Sequence, residues 1–396
     1  MRIAFVVHRY WPLVGGVEKY IHELAKALIA MGHDVDVITA ALKDGLAIRE
    51  VHEGVQIHRF PALRSRMRSR LWFLAHFALL QRADVVHVSN THMLETLWRT
   101  LGILVDRRKV FLTRHGMSYV YPVPEAEKRR AVRSLRMACG VIHDGAFIEK
   151  WLGVKPDLCP DQGLSPVADD IEHTPEPPPR SATYIGRLEP DSGIGIYMDA
   201  VRRLVHEHDR AFELHVYGDG SLAGELSEQA SREELPVHFH GRKPDAQRHI
   251  NDTCFAFIDG RMAIQEAMAR RRLVLAAYVD PLKRDYVGTE PFSPYLVAVG
   301  SGAELAERVC HYIDHPDQRR ALVERAFEHA RTLSWRRTAE AYLRVWQQRL
   351  ADPLPGPSML EALKLGWRLN RETNMSKEAW AQERFAQGDL GPVPSA

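Results

Sequence analysis

The sequence predicts an α/β protein built from two doubly wound parallel sheets, and three observations lead there. The first forty residues read strand, loop, helix, strand: "RIAFVVH", "RYWPLVGG", "VEKYIHELAKALIAMGH" and "DVDVITA". Val17, Tyr20, Ile21, Leu24, Leu28 and Met31 recur at helical spacing between two short β-rich runs, the signature of a βαβ unit and so of a parallel sheet. After residue 180 a second series of such runs begins. Between the two, "DIEHTPEPPPR" from Asp170 to Arg180 is a proline-rich break that can continue neither helix nor sheet. A chain of 396 residues also exceeds the size at which one hydrophobic core usually stops growing.

Taken in order, the strands of the first half are "RIAFVVH", "DVDVITA", "ADVVHVSN", "VFLTRHG" and "ACGVIHDG". Those of the second half are "SATYIGRL", "FELHVYGDG", "VHFHG", "TCFAFIDG" and "LVLAAY", with amphipathic helices between them. Near the C-terminus "SWRRTAEAYLRVWQQRL" carries Ala339, Tyr342, Leu343 and Trp346 on one helical face, followed by a break at "DPLPGP". The expected boundaries are 1–170 for the first domain, 171–180 for the linker, 181–335 for the second domain, and 336–396 for a helix crossing back to the first domain plus a tail.

The charge balance, 53 basic against 51 acidic residues, argues against nucleic acid as a partner of the whole chain. Cys139, Cys159, Cys254 and Cys310 show no CxxC spacing, so neither a zinc site nor a disulfide scaffold is expected. The N-terminal apolar run is broken at His8 and Arg9 and has no small-residue cleavage site. No window reaches the roughly 18 uncharged apolar residues of a membrane span. A cytoplasmic protein is the expectation.

In open α/β sheets ligands bind beyond the carboxyl ends of the strands, so the residues there are the site candidates. Gly15 and Gly16 lie between the first strand and first helix, where backbone amides can approach an anion or a sugar hydroxyl, or simply make a turn. They do not match GxGxxG. His115 and Gly116 end another strand. In the second half, Arg187 follows "YIG" and can hold a diphosphate by paired hydrogen bonds, while Gly218 and Gly220 of "VYGDG" form a tight turn close to backbone. Glu266 reads as the start or cap of the helix "QEAMARR", and Arg270 to Arg272 as its solvated end.

The ordered set resembles the retaining nucleotide-sugar glycosyltransferases of the GT-B fold, specifically glycosyltransferase family 4. It is carried by "GGVE" (Gly15 to Glu18), "ADVVHV", "TRHG" (Thr113 to Gly116), "YIGRLEPDSG", "VYGDG", "VHFHG", "EAMA" and "LSWRRTAEAYLRVW", over about the first 350 residues. The resemblance implies two Rossmann-like domains facing a central cleft, with the nucleotide on the C-terminal domain and the acceptor on the N-terminal one. It implies a nucleotide diphosphate sugar as donor substrate, and neither a cofactor nor a metal for the transfer. Carried over residue by residue, Gly15 and Gly16 face the donor phosphates or the reacting sugar. His115 matches the catalytic-site histidine beside the donor sugar, Arg187 the diphosphate-binding arginine, and Glu266 the ribose-holding glutamate. The leaving nucleoside diphosphate gains negative charge as the glycosidic bond breaks, so a cation and backbone amides act most strongly in the transition state.

This chain departs from the family pattern twice. Ser192 stands where a lysine is usual, five residues after Arg187, and Ile258 stands where the first of two paired glutamates belongs. Asp259 is the candidate to replace the latter, and Arg261 of "DGRM" to supply the charge that Ser192 lacks. These departures keep a second reading open: a non-catalytic GT-B protein that binds a nucleotide or glycan and supports a partner enzyme. A nucleotide-sugar epimerase is a third. The acceptor can be a glycan, a lipid-linked molecule or a small molecule. The basic, aromatic-bearing stretch from Arg64 to Arg82 suits peripheral contact with the inner face of an anionic membrane, or a domain helix burying Leu71, Phe73, Leu74 and Phe77.

Overall fold

The first strand, Arg2–Val6 (β1), is buried from Ile3 to Val6, and so are its neighbours, the pattern of a parallel sheet covered on both faces. The computed structural model describes residues 1–352 apart from Val14, Asp44, 62–65, 102–103, 118–119, Pro166 and His173. These residues form two units: 1–163 together with the helix that begins at Trp335, and 164–334.

In the first unit β1 is followed by β2 (Asp34–Ala40), β3 (Arg49–His52), β4 (Val55–Phe60), β5 (Val85–Val88), β6 (Val110–Arg114) and β7 (Gly140–His143). The sheet order is β3-β4-β2-β1-β5-β6-β7, parallel except for β3 against β4. The β3–β4 hairpin was not expected from the sequence. Its two turn residues, Glu53 and Gly54, both have positive φ (47° and 83°), the turn that matches strand twist but normally takes Asn-Gly or Asp-Gly. The helices are α1 (Gly16–Ala30), α2 (Arg66–Ala75), α3 (Phe77–Arg82), α4 (Thr91–Leu101), α5 (Glu125–Leu135) and α6 (Phe147–Leu152).

The second unit holds β8 (Ser181–Ile185), β9 (Glu213–Tyr217), β10 (Val237–Gly241), β11 (Phe255–Phe257), β12 (Leu273–Ala277) and β13 (Val297–Val299), ordered β10-β9-β8-β11-β12-β13. Its helices are α7 (Ile194–His206), α8 (Ala223–Arg232), α9 (Arg261–Ala269), α10 (Pro281–Gly288), α11 (Gly302–Asp314) and α12 (Pro316–Ala330). The proline-rich stretch forms neither helix nor strand, but it is anchored within this unit: the Glu176 carboxylate accepts hydrogen bonds from Arg319 at 2.8 and 3.2 Å.

The last described helix, α13 (Trp335–Ala351), belongs to the first unit. Its apolar face is held there by neutral polar groups. Trp346 Nε1 donates to His87 Nδ1 (3.2 Å), so His87 Nε2 carries the proton and donates to Thr113 Oγ1 (2.7 Å). Thr113 in turn meets the Tyr342 hydroxyl at 3.1 Å, and that hydroxyl meets Tyr20 of α1 at 2.9 Å. All five side chains are at most 1% exposed, so each hydrogen bond satisfies a group that water cannot reach. Burial holds the His87 pKa down at about 3, with His115 acting in the same direction.

The basic stretch at α2 differs from the reading of a domain helix that buries Leu71, Phe73, Leu74 and Phe77. Phe73 is buried, but Leu71 and Leu74 are not: with Met67 they are 57%, 48% and 62% exposed and line one side of the helix at i, i+4, i+7. Arg64 lies outside the described residues.

Candidate functional site

The second sheet changes direction at β8: β9 and β10 lie to one side, β11 to β13 to the other. The gap between the carboxyl ends of β8 and β11 is therefore a topological switch point, the crevice where such sheets take ligands. The loops after β8, β11 and β12 bring a charged cluster there. Arg187 donates to Asp191 Oδ2 at 2.8 Å, and Lys283 Nζ, on the first turn of α10, donates to the same oxygen at 3.0 Å. The two cations share the Asp191 carboxylate, and the charge of both also reaches Asp259. Together they hold the Asp191 carboxyl below its usual range, against the desolvation that opposes ionisation. Arg187 is the more exposed of the pair, at 43% against 24%.

Lys283 is the cation of this cluster that sequence reading missed. Ser192, in the place of the usual lysine, is buried, its hydroxyl bonded to the Glu189 carbonyl at 2.7 Å. The signal for Lys283 was present: "LAAYVDPLK" is a strand followed by a capping Asp280 and a proline at the helix start, which sets Lys283 in the first turn at a strand's carboxyl end.

Asp259 accepts a hydrogen bond from the Gly193 backbone at 2.7 Å, at the N-terminus of α7. Burial raises its pKa, while that amide and the charges of Lys283 and Arg187 pull the other way. Ile258, by contrast, is fully buried in the core beneath α9.

Arg261 requires a correction. Its guanidinium is 4% exposed and closes on the equally buried Glu290 carboxylate, so its charge is already committed and does not replace a missing phosphate ligand. Glu266 is also corrected: α9 begins at Arg261, after extended Gly260, which puts Glu266 on the second turn rather than at the helix start. It is 8% exposed. Arg270 and Arg272 are buried, not a solvated end. Arg270 donates to the Glu266 carbonyl at 3.0 Å, and Arg272 to Asn251 and Thr174 at 2.9 and 2.8 Å.

Gly218 and Gly220 have a packing reason. A Cβ at Gly218 would strike the Gly186 carbonyl, and one at Gly220 the Leu188 backbone, so their lack of a side chain lets the loops after β8 and β9 run side by side. The Leu188 and Leu222 amides bridge the loops at 3.0 and 2.9 Å, and the Glu189 carboxylate accepts from the Ser221 hydroxyl at 2.6 Å. Arg187 is aimed by this double loop.

In the first unit Gly15 is the extended N-cap of α1, without a side-chain cap, and a Cβ there would meet the Glu18 carboxylate. Gly16 has open space where its Cβ would be. His115 follows β6, and Asp144 follows the adjacent β7. The carboxylate accepts from His115 Nδ1 (3.1 Å) and from Gln162 Nε2 (2.7 Å). This fixes the tautomer with the proton on Nδ1 and leaves Nε2 as an acceptor. Among the described residues nothing pairs with Nε2, although it is buried, and an unsatisfied buried acceptor is a place for a ligand donor. The Tyr20 ring meets the imidazole edge-on at 5.1 Å, tying it to α1. Asp144 and Gln162 were not picked out from sequence, though Asp144 ends the strand "CGVIHDG".

Comparison with known structures supports this fold. The chain resembles sucrose-phosphate synthase from Thermosynechococcus elongatus with a TM-score of 0.71 at 16% identity, over 88% of this chain and 99% of that one. It resembles Alr3699/HepE of Anabaena, solved with UDP-glucose, with a TM-score of 0.67 at 16% identity, over 87% and 99%. Both likenesses define a GT-B glycosyltransferase fold. Residues 14–143 match the family described as Glycosyltransferase Family 4, and residues 179–315 match Glycosyl transferases group 1. With one match on each unit, the chain belongs to the GT-B glycosyltransferases of family 4. Among curated proteins, the GPI3 subunit of phosphatidylinositol N-acetylglucosaminyltransferase from Saccharomyces cerevisiae is 37% identical over 59 residues, 15% of this chain. Its Schizosaccharomyces pombe counterpart is 38% identical over 52 residues, 13% of this chain. The chain spans 13% and 11% of the lengths of these two relatives.

Proposed function

We propose that this glycosyltransferase moves a sugar, with retention of configuration and without a metal in the transfer, from a nucleotide diphosphate sugar on the second unit to a hydroxyl of an acceptor on the first. The observation that carries the reading is the Arg187–Asp191–Lys283 cluster at the switch point of the second sheet. A diphosphate brings its anionic oxygens to two cations gathered at one strand end, and gains charge on those oxygens as the glycosidic bond breaks. Lys283 takes the part that Ser192 cannot. Asp259 and Glu266 accept from hydroxyls of the donor, and the Arg261–Glu290 pair sets the start of α9 rather than touching phosphate. In the first unit Asp144 orients His115, whose Nε2 accepts from a sugar or acceptor hydroxyl, and the amides at Gly15 and Gly16 face the reacting groups.

A lipid-linked acceptor is the favoured class. The exposed Met67, Leu71 and Leu74 share α2 with Arg68 and Arg70, a composition that suits peripheral attachment to an anionic cytoplasmic leaflet. No helix among the described residues is long and apolar enough to cross a membrane. The yeast relative's name likewise couples N-acetylglucosaminyl transfer to a phosphatidylinositol.

The test is calorimetric titration with UDP, GDP, ADP and TDP and their common sugars, using wild type, Arg187→Ala, Lys283→Ala and Glu266→Ala. Saturable binding of one donor, weakened in each variant, supports the assignment. Binding to none would favour the non-catalytic reading that Ser192 and Ile258 suggest. Donor turnover only on addition of acceptor separates transfer from epimerisation. Sedimentation with vesicles containing phosphatidylglycerol, lost in Leu71→Glu/Leu74→Glu, tests the membrane contact.

A further inference from the structure

We propose that His22, His52 and Glu53 form a binding site for a divalent cation of the zinc class on the first unit, distinct from the residues of the transfer reaction. His22 lies on α1, His52 ends β3, and Glu53 occupies the hairpin turn where its positive φ is unusual for a side chain of this type. One nitrogen or oxygen from each lies within 4.8 Å of the other two, a group assembled from two elements thirty residues apart. His22 Nε2 stands 3.3 Å from Glu53 Oε2, and His52 Nε2 3.9 Å from Oε1. Tetrahedral zinc with bonds of about 2.0–2.1 Å holds its ligand atoms roughly 3.3 Å apart, so only small side-chain adjustments would close the set.

Neighbouring residues already orient the imidazoles as they would around a metal. Without a metal, His22 Nε2 donates to Glu53 at 3.3 Å and Nδ1, 2.7 Å from Tyr10, accepts from its hydroxyl; on cation binding the proton would sit on Nδ1 and be donated to the Tyr10 oxygen, leaving the Nε2 lone pair for the cation. Trp11 stacks on the His52 ring at 3.9 Å and 8°, fixing its plane, and the two imidazoles stack at 5.2 Å. Two imidazoles and a carboxylate are donors that suit Zn²⁺ or Co²⁺ better than Mg²⁺ or Ca²⁺, and three protein ligands leave one position for water.

Lys26 makes the inference specific. Its ammonium lies 2.7 Å from Glu53 and 3.5 Å from Glu23, so the carboxylates already attract a cation and outnumber the one present. A metal would compete with Lys26 for Glu53. Once bound, it would clip the β3–β4 turn to α1 and, through Trp11, steady the segment leading from β1 into the Gly15 and Gly16 helix start.

The experiment is titration of the purified full chain with ZnCl₂ by calorimetry and with CoCl₂ by visible absorption. One cation per chain is expected, with the intense visible bands of tetrahedral cobalt. Affinity should fall at least about tenfold in His52→Ala and in Glu53→Gln, fall in Tyr10→Phe, and rise in Lys26→Met. His52 and Glu53 lie at a surface turn, and far-ultraviolet circular dichroism of the two variants checks that the fold is retained. No saturable uptake by wild type would overturn the proposal. So would uptake that survives both His52→Ala and Glu53→Gln, that is unchanged in Lys26→Met, or that is lost instead in His215→Ala, which removes the neighbouring-histidine pair His215–His240 of the second unit (3.2 Å).

Discussion

The two units are wound on one plan and each holds ion pairs with a buried member, Arg59–Glu50 and Arg130–Glu95 in the first and Arg261–Glu290 in the second, but they differ in a further set of polar groups. In the first, one buried set is neutral and linked in a chain: Trp346, His87, Thr113, Tyr342 and Tyr20. In the second they are ions: Arg187 and Lys283 on Asp191, and Arg261 on Glu290. A neutral network costs little to desolvate, whereas ions cost several kcal/mol when buried unless paired, and the Arg187–Lys283 cluster stays partly exposed. The same fold thus carries two chemistries, a neutral buried network in one unit and a charged cluster at the strand ends of the other.

The largest effect that tests this contrast comes from breaking the buried ion pair. Glu290→Gln leaves the Arg261 guanidinium uncompensated and should destabilise the second unit by about 3–5 kcal/mol, whereas Arg261→Met/Glu290→Met should restore most of that. Hydrogen exchange of α9 and β12 reads the difference, and a small loss in the single variant would mean that this arginine is solvated in practice.

Acidification should weaken the first unit before the second. Burial depresses the pKa of His87 to about 3 and that of His143 to about 4. Above the unfolded histidine pKa of about 6.5 their stabilising share is complete. Below it the unfolded chain takes up a proton that the folded chain refuses, so each costs about 2 kcal/mol between pH 7 and pH 5. In the second unit His215 and His240 shift in the same direction but stand at a more open edge, and the paired Asp191 loses its share only below the ordinary carboxylate range. All tryptophans among the described residues belong to the first unit, so urea unfolding followed by tryptophan fluorescence at the two pH values is a selective probe, and equal midpoints would refute the assignment.

Two smaller changes sharpen the comparison. Lys283→Ala should weaken nucleoside diphosphate binding by about tenfold or more while leaving the unfolding midpoint nearly unchanged, since its ion pair is partly exposed. If affinity is unaltered, Arg187 acts alone. Thr113→Val removes one neutral link between His87 and Tyr342 and should cost the first unit about 1–3 kcal/mol without altering donor affinity. A parallel fall in nucleotide binding would show that the two chemistries are coupled.

Much of the framework was legible because it depends on local periodicity. Helix α1, the short strands and the return of Tyr342, Leu343 and Trp346 to a buried face follow from which residues are apolar and at what spacing. The β3–β4 hairpin escaped because Glu53–Gly54 is an unusual pair for its turn. Glu266 was misplaced by a turn because Gly260 and Arg261 carry no capping side chain to mark where α9 starts.

By itself, then, the sequence determined the winding, the order of the strand ends and the list of side chains available there. Only the tertiary structure decided which of them meet. Asp191 finds Lys283 ninety-two residues away, Arg261 spends its charge on Glu290, and His115 is oriented by Asp144 from a neighbouring strand. Periodicity is written in near neighbours and survives reading one residue at a time. Electrostatic pairing falls off within a few ångströms in space, and distance along the chain carries no record of it.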